Sequence, residues 1–164
     1  MGRKSTKENK NNYQICRENA DLTRDAAAEV MKFVSADRIE KIESERSLPH
    51  PEEILAMSKA YKAPDLCNYY CSRECPIGQE FVPEVKIKDL SQITLEMLAS
   101  LNALEKEKNR LIEITVDGVI TSDEIEDFEK IQSQLSQISM AIDSLQLWVQ
   151  KAMADGKITA KHFL

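Results

Sequence analysis

The sequence of 164 residues predicts an all-α protein, and both its composition and the spacing of its apolar residues lead to that prediction. Apolar residues make up 42% of the chain and aromatic residues 5%, with only four glycines and five prolines, which is typical of helical globular proteins. Apolar positions recur every three or four residues, the period of an α-helix. No proline follows Pro83, so the C-terminal half can hold long helices.

Changes in composition and in apolar periodicity along the chain predict four regions. Residues 1–11 are polar and basic and form a flexible arm, whereas residues 12–75 are short amphipathic pieces that predict a compact bundle of short helices. Residues 76–88 contain Pro, Gly and several β-branched residues, which predict a connector or a short extended piece. Residues 89–164 show long apolar periodicity and predict two long helices.

The first long helix is predicted from Leu90 to Ile114, and the pair Asp117-Gly118 ends it. A capping box of Thr121 and Glu124 then starts the second long helix, so the two form an antiparallel hairpin. The apolar stripe predicted for the first helix is Leu90, Ile93, Met97, Leu101, Leu104 and Leu111. The coiled-coil seam predicted for the second helix is Ile131, Leu135, Ile138, Ile142, Leu145, Val149 and Ala152.

Two large side chains of the second long helix, Leu147 and Trp148, fall outside this seam. In a lone hairpin they would face water. Pairing two hairpins into a four-helix arrangement would bury them, so we expect a homodimer held by residues 89–164.

Residues 16–23, with the sequence Cys-Arg-Glu-Asn-Ala-Asp-Leu-Thr, resemble the motif Leu-Arg-Glu-x-Ala-Gly-Leu-Thr of the Cro/repressor-type (XRE) helix-turn-helix family. The similarity continues at Ala28, where the family keeps a small residue between two crossing helices. It resumes at residues 35–43, which match the recognition-helix signature, and at residues 53–61, which are similar to the fourth helix. This resemblance covers residues 12–66 and implies a lambda-repressor-like five-helix domain that binds double-stranded DNA and regulates transcription.

The resemblance implies a DNA-binding surface on the second and third helices, with the first turn of the third helix in the major groove. Arg38 is the candidate base reader, because a guanidinium group can bind guanine O6 and N7 together. Arg17 and Glu43 correspond to an ion pair of the family's scaffold. The DNA-binding residues predicted in this way are Arg24, Ser35, Ala36, Asp37, Arg38, Lys41 and Arg46.

Two features depart from the family pattern. Residues 31–35 hold one residue more than the family's Leu-Gly-Val-Ser and lack its glycine, so we expect a tilted third helix or a longer second helix. Acidic residues also crowd the recognition helix: Asp37, Glu40, Glu43 and Glu45. The alternative is therefore a protein-interaction module, in which the helical hairpin binds another protein and the N-terminal domain is a scaffold that does not bind DNA.

Three cysteines recur every four residues, at Cys67, Cys71 and Cys75, and would share one helix face. With Cys16 as a fourth ligand they could hold zinc or an iron–sulfur cluster, or act as a redox sensor. The paired Cys-x-x-Cys spacing typical of metal sites is absent, so the competing interpretation is that these cysteines pack between helices. We expect no cofactor.

The remaining patterns exclude several classes of function. His50 and His162 have no catalytic partner at a recognisable spacing, and no glycine-rich phosphate loop is present, so we expect no enzyme. No apolar run is long enough for a membrane span and the N-terminus lacks an apolar signal core, so we expect a cytoplasmic protein with no membrane partner. The net charge of −6 gives no support for nucleic-acid binding, which depends on the motif alone.

Overall fold

A computed structural model describes residues 9–159, and these residues form eight α-helices and no β-strand, which confirms the all-α class. The helices are α1 Asn12–Asn19, α2 Arg24–Met31, α3 Ala36–Glu43, α4 Pro51–Ala60, α5 Asp65–Arg73, α6 Pro76–Phe81, α7 Leu90–Thr115 and α8 Ile125–Ala154. They belong to two compact units. Unit 1 takes the described residues up to Glu84 and from Val149 onward, and unit 2 is Val85–Trp148. Most of the predicted basic arm and His162 lie outside the described residues.

Polar side chains start the first three helices. The Asn11 side chain accepts a hydrogen bond from the Gln14 N–H at 3.0 Å and donates one to the Ile42 carbonyl at 2.9 Å, which ties the start of α1 to the end of α3. Thr23 caps α2 and Ser35 caps α3 in the same way, each accepting from an N–H three residues later. Side-chain caps therefore set where α2 and α3 begin.

The core of unit 1 lies among α1 to α5. Its largest fully buried side chains are Ile39, Ile42, Ile54, Met57 and Leu66. Ile39 and Ile42 are three residues apart and share one face of α3, so burying them turns the opposite face of α3 toward solvent. This packing positions the candidate site.

The turn between α2 and α3 absorbs the extra residue without lengthening α2. Lys32 adopts φ 66° and ψ −40°, and the Phe33 N–H donates to the Met31 carbonyl at 2.8 Å. This hydrogen bond between residues two apart, around a positive φ, is a γ-turn of the strained type. Helix α2 therefore still ends at Met31, and Ser35 remains free to cap α3.

The predicted connector contains a helix, so the expectation of an extended piece is wrong for α6. Pro76 occupies the first helical position, where its missing N–H costs nothing. Gly78 is buried, and a Cβ atom there would lie 2.0 Å from the Cys71 carbonyl oxygen. Because Gly78 has no side chain, the backbone of α6 can pack directly against the backbone of α5.

In unit 2, two ion pairs join α7 to α8. Glu107 binds Lys130 at 2.5 Å, and Arg110 binds Asp127 at 2.7 Å. Because the residue number rises on α7 as it falls on α8, the two helices run antiparallel at this point.

The apolar stripes predicted for these helices are partly wrong. On α7, Leu90 and Leu101 are exposed, whereas Ser100 is buried and Glu107 is half-buried. On α8, Leu135 and Ile142 are exposed, and Ala141 is buried in their place. Each helix is rotated slightly from the orientation that apolar residues alone would give.

Leu147, which we expected to face water, is buried with 6% of its surface exposed, and Trp148 is half-buried. The expectation for these two residues is therefore wrong. Near the C-terminal end of α8, residues outside the predicted heptad seam are also shielded from solvent. No helix within the described residues is both long enough and apolar enough to cross a membrane.

Candidate nucleic-acid interface

A buried ion pair links the predicted recognition helix, α3, to α1. Arg17 on α1 donates from Nε to Glu43 Oε1 at 2.5 Å and from Nη2 to Oε2 at 3.0 Å. Its remaining nitrogen, Nη1, donates to the Leu22 carbonyl at 2.7 Å. Both charged side chains are almost fully buried, so the pair links α1, α3 and the start of the α2 segment. The predicted ion pair of Arg17 and Glu43 is confirmed.

Arg24, at the start of α2, also binds Glu43. Its Nε lies 2.8 Å from Glu43 Oε2, and its side chain is partly exposed. Glu43 therefore accepts hydrogen bonds from two guanidinium groups at once, and this group of three side chains keeps one net positive charge. Arg24 keeps part of its surface open to solvent at the N-terminus of α2, where the helix dipole also favours an anion.

Arg38, the predicted base reader, is engaged within unit 1. Its Nε and Nη2 donate to the two oxygens of Glu53 on α4, at 2.7 and 2.8 Å. Its Nη1 donates to the Ser47 hydroxyl and its Nη2 also to the Leu48 carbonyl. All three nitrogens of the guanidinium group thus donate hydrogen bonds to α4 or to the loop before it. Arg38 therefore links α3 to α4.

The other two predicted cations pair with carboxylates on or near α3. Lys41 lies 2.7 Å from Asp37 one turn earlier, and both are exposed. A hydrogen bond from Lys41 lowers the pKa of Asp37, which keeps it charged. Arg46 binds Glu40 and the Ser44 hydroxyl. These pairs lie at the surface, where an ion pair contributes little to stability and exchanges readily.

The two uncharged members of the predicted set lie at the N-terminus of α3. Ser35 is exposed and its hydroxyl is used as the cap, while Ala36 is half-buried. The structure thus brings Ser35, Ala36, Asp37 and Lys41 together on one stretch of α3.

Sequence reasoning missed the carboxylates that hold these cations, above all Glu53. One signal was present, because Glu53 is the third residue of a helix that starts with a proline, and its carboxylate accepts from the His50 N–H at 2.7 Å. That position predicts a capping role. It gives no indication of the second partner, Arg38, which lies fifteen residues earlier.

The cysteines do not form a metal centre among the residues that the structure covers. No three His, Cys, Asp or Glu side chains in the range 9–159 are placed to hold a metal ion. Cys16 is buried in the core of unit 1, and burial raises the pKa of its thiol to about 12. Burial also raises the pKa of Cys71, with the neighbouring Cys75 and Cys67 adding to the shift. These thiols are therefore protonated at neutral pH, as packing cysteines are.

Comparison with known proteins identifies no relative of this chain. No family model, no curated protein and no solved structure matches the chain.

Proposed function

We propose that this protein is a DNA-binding transcriptional regulator. In this proposal α1 to α5 form a lambda-repressor-like helix-turn-helix domain, α7 and α8 form a dimerising hairpin, and the homodimer binds operator DNA in the cytoplasm. A two-fold dimer would present two recognition helices to half-sites about 34 Å apart.

The observation that carries the proposal is that one face of α3 is held in the core of unit 1 while the other is exposed. Ile39 and Ile42 hold its inner face in the core, and the buried pair of Arg17 and Glu43 fixes it to α1. The opposite face, with Asp37 and Lys41, is left to solvent. A short helix held rigidly on one side and open on the other is what major-groove recognition needs.

The ion pairs divide the predicted contacts into two groups. Lys41 and Arg46 are exposed, and a phosphate could replace their carboxylates at a cost of roughly 0.2–1 kcal/mol each. Asp37 would then be free to accept a hydrogen bond from cytosine N4. Arg38 would have to leave a partly buried carboxylate, so its base-reading role has the higher cost.

The test is to select bound fragments from random double-stranded DNA with the full chain, and then to measure affinity for a selected fragment across a series of salt concentrations. We expect Lys41→Ala to weaken binding to all sequences and to lower the salt slope by about one. Lys106→Ala, on the exposed surface of α7, is the matched control and should leave both unchanged. Recovery of no preferred sequence, together with the absence of salt-dependent binding, would overturn the proposal.

A second candidate is the protein-interaction module, and one observation favours it. Each of the four predicted DNA-contacting cations, Arg24, Arg38, Lys41 and Arg46, has a carboxylate partner. Most of the positive charge at the candidate surface is therefore already paired within the protein, whereas DNA-binding surfaces carry an excess of positive charge. Failure to bind DNA at low salt, with the helical fold intact, would leave this candidate standing.

A further inference from the structure

The two long helices of unit 2 have an apolar flank on one side only. The inner face of α7 follows positions 93, 97, 100, 104, 107, 111 and 114, which are buried or half-buried. At 100° per residue, one flank of that face holds Leu90, Leu98, Leu101 and Ile112. The opposite flank holds Glu96, Ala99, Ala103, Lys106 and Arg110. The first flank also holds Thr94 and the ion-paired Glu105 and Lys108, but all of its large aliphatic side chains are exposed, whereas the second flank has no apolar residue larger than alanine.

Helix α8 shows the same asymmetry. Its inner face follows positions 131, 134, 138, 141, 145 and 148, which are buried or half-buried. One flank holds Leu135 and Ile142 with the uncharged Ser139 and Gln146, whereas the other holds Lys130 and Gln137.

The ion pairs show that the apolar flanks lie on the same side of the helix pair. Arg110 is on the polar flank of α7 and Lys130 is on the polar flank of α8, and each pairs across to the other helix. The polar flanks therefore adjoin each other, and so do the apolar ones. We define the apolar face as Leu90, Leu98, Leu101, Ile112, Leu135 and Ile142, which are each 41–56% exposed.

We propose that the apolar face binds the same face of a second copy of this chain, forming an antiparallel four-helix bundle. This inference names the contact surface of the dimer in the proposed function and rests on that proposal for its biological role. A two-fold contact puts the same patch on both partners, as this face requires.

The local charge of the face is compatible with a second copy as the occupant. The chain carries a net charge of −6, so the contact between two copies that costs least is one where each copy contributes no net charge. Between Ile131 and Gln150, α8 has a single ionisable residue, Asp143, and its helical position is away from the apolar face. On α7, Glu105 and Lys108 lie within the face between Leu101 and Ile112, and they are bonded to each other at 2.9 Å, so together they add no net charge to it.

The size of the face also fits. From Leu90 to Ile112 a helix rises about 33 Å, and two helices side by side are about 20 Å wide. The side of the helix pair that carries the apolar face therefore has a projected area of roughly 660 Å², comparable with the about 800 Å² per partner of a standard stable interface. This side is large enough to accommodate a dimer contact.

The experiment is sedimentation or light scattering of the full chain at micromolar concentration, without DNA. We expect the parent to be a dimer and Leu101→Glu to raise the dimer dissociation constant by about thirtyfold or more, as the loss of one interface hot spot does. Leu95→Glu is the matched control, because Leu95 is 69% exposed but lies on the side of α7 away from the face. This control should remain dimeric.

Circular dichroism checks that each variant keeps its helices, and Leu101→Ala, which preserves helix propensity, supplies a second measure of dissociation if Leu101→Glu unfolds. A monomeric parent, a dimeric Leu101→Glu that keeps its helices, or equal effects at Leu95 and Leu101 would each overturn the inference. A dimer that binds no DNA would contradict the proposed function alone, and a monomer that binds DNA would contradict this inference alone.

Discussion

At the scale of single residues, Lys32 shows how the chain accommodates an inserted residue. Its γ-turn closes the link between α2 and α3 with a positive φ that a side chain with a Cβ atom adopts only under strain. The strain is local, because α2 and α3 keep their caps on either side.

We expect Lys32→Gly to raise the free energy of unfolding by about 1 kcal/mol, because glycine adopts positive φ without strain and only part of that gain is lost to the entropy of the unfolded chain. The measurement is urea denaturation. Glu29→Gly, at an exposed position within α2, is the matched control and should lower stability by about 1 kcal/mol. Equal losses in both variants would show that Lys32 is not strained.

Glu74 is a residue whose ionisation opposes folding. Burial raises the pKa of Glu74 and the nearby Glu45 raises it further, while the Tyr13 hydroxyl close by offsets this only in part. The folded protein therefore holds this proton more tightly than the unfolded chain does, and stability from this group falls as the pH rises above about 4.5.

We expect Glu74→Gln to have a higher melting temperature than the parent at pH 7, because the neutral amide removes a charge that the fold disfavours. The difference should shrink as the pH falls and vanish below about pH 4.5, where the parent's carboxyl group is protonated in both states. Glu80→Gln, on the exposed surface of α6, should show no such pH-dependent difference. If Glu74→Gln raised the melting temperature equally at pH 7 and below about pH 4.5, this assignment would be wrong.

At the scale of elements, the packing of α6 against α5 depends on one glycine. Gly78 places its Cα against the Cys71 backbone, and backbone atoms cannot rotate away as a side chain can. Gly78→Ala should therefore push α6 off α5 and cost about 1–3 kcal/mol, the typical cost of overpacking.

Chemical denaturation and amide exchange of α6 measure this cost. Glu80→Ala in the same helix introduces alanine on the solvent side and should change stability by less than about 0.5 kcal/mol. If Gly78→Ala were as stable as the parent, the close approach of the two backbones would be wrong.

The long helices show where sequence patterns suffice and where they do not. The period of apolar residues predicted two long helices, and the structure has them as α7 and α8. It did not predict which side of each helix faces inward, because Leu135 and Ile142 fit a heptad as well as Gln134 and Ala141 do. Apolar residues on two adjacent faces leave the rotation of a helix to its neighbours.

At the scale of the whole molecule, the aromatic residues report separately on the two units. The only tryptophan, Trp148, lies in unit 2, and the tyrosines, at positions 13, 61, 69 and 70, all lie in unit 1. Tryptophan fluorescence and tyrosine near-ultraviolet circular dichroism can therefore follow the unfolding of each unit.

We expect Ile54→Ala, in the core of unit 1, to lower the stability reported by tyrosine by about 2–5 kcal/mol and to change the tryptophan signal much less. Ile131→Ala, at an equally buried position of unit 2, should show the reverse pattern. If both signals shifted together in both variants, the two units would unfold as one cooperative body.

The local sequence pattern was enough to predict the all-α class and the two long helices. It could do so because helical period and capping involve residues three or four apart, so the interacting atoms are close in the chain. It also indicated the pair of Arg17 and Glu43, through the resemblance to a known pattern.

The partners of Arg38 and the side of α8 that faces inward depend on the packing of helices against one another. The contact between Arg38 and Glu53 joins residues fifteen apart across two helices, and no local pattern specifies such a contact. Likewise, Leu135 and Ile142 become an exposed surface only when α7 covers the adjacent face. Local interactions can be predicted from neighbouring residues, whereas these features follow from how separate helices compete to bury their surfaces.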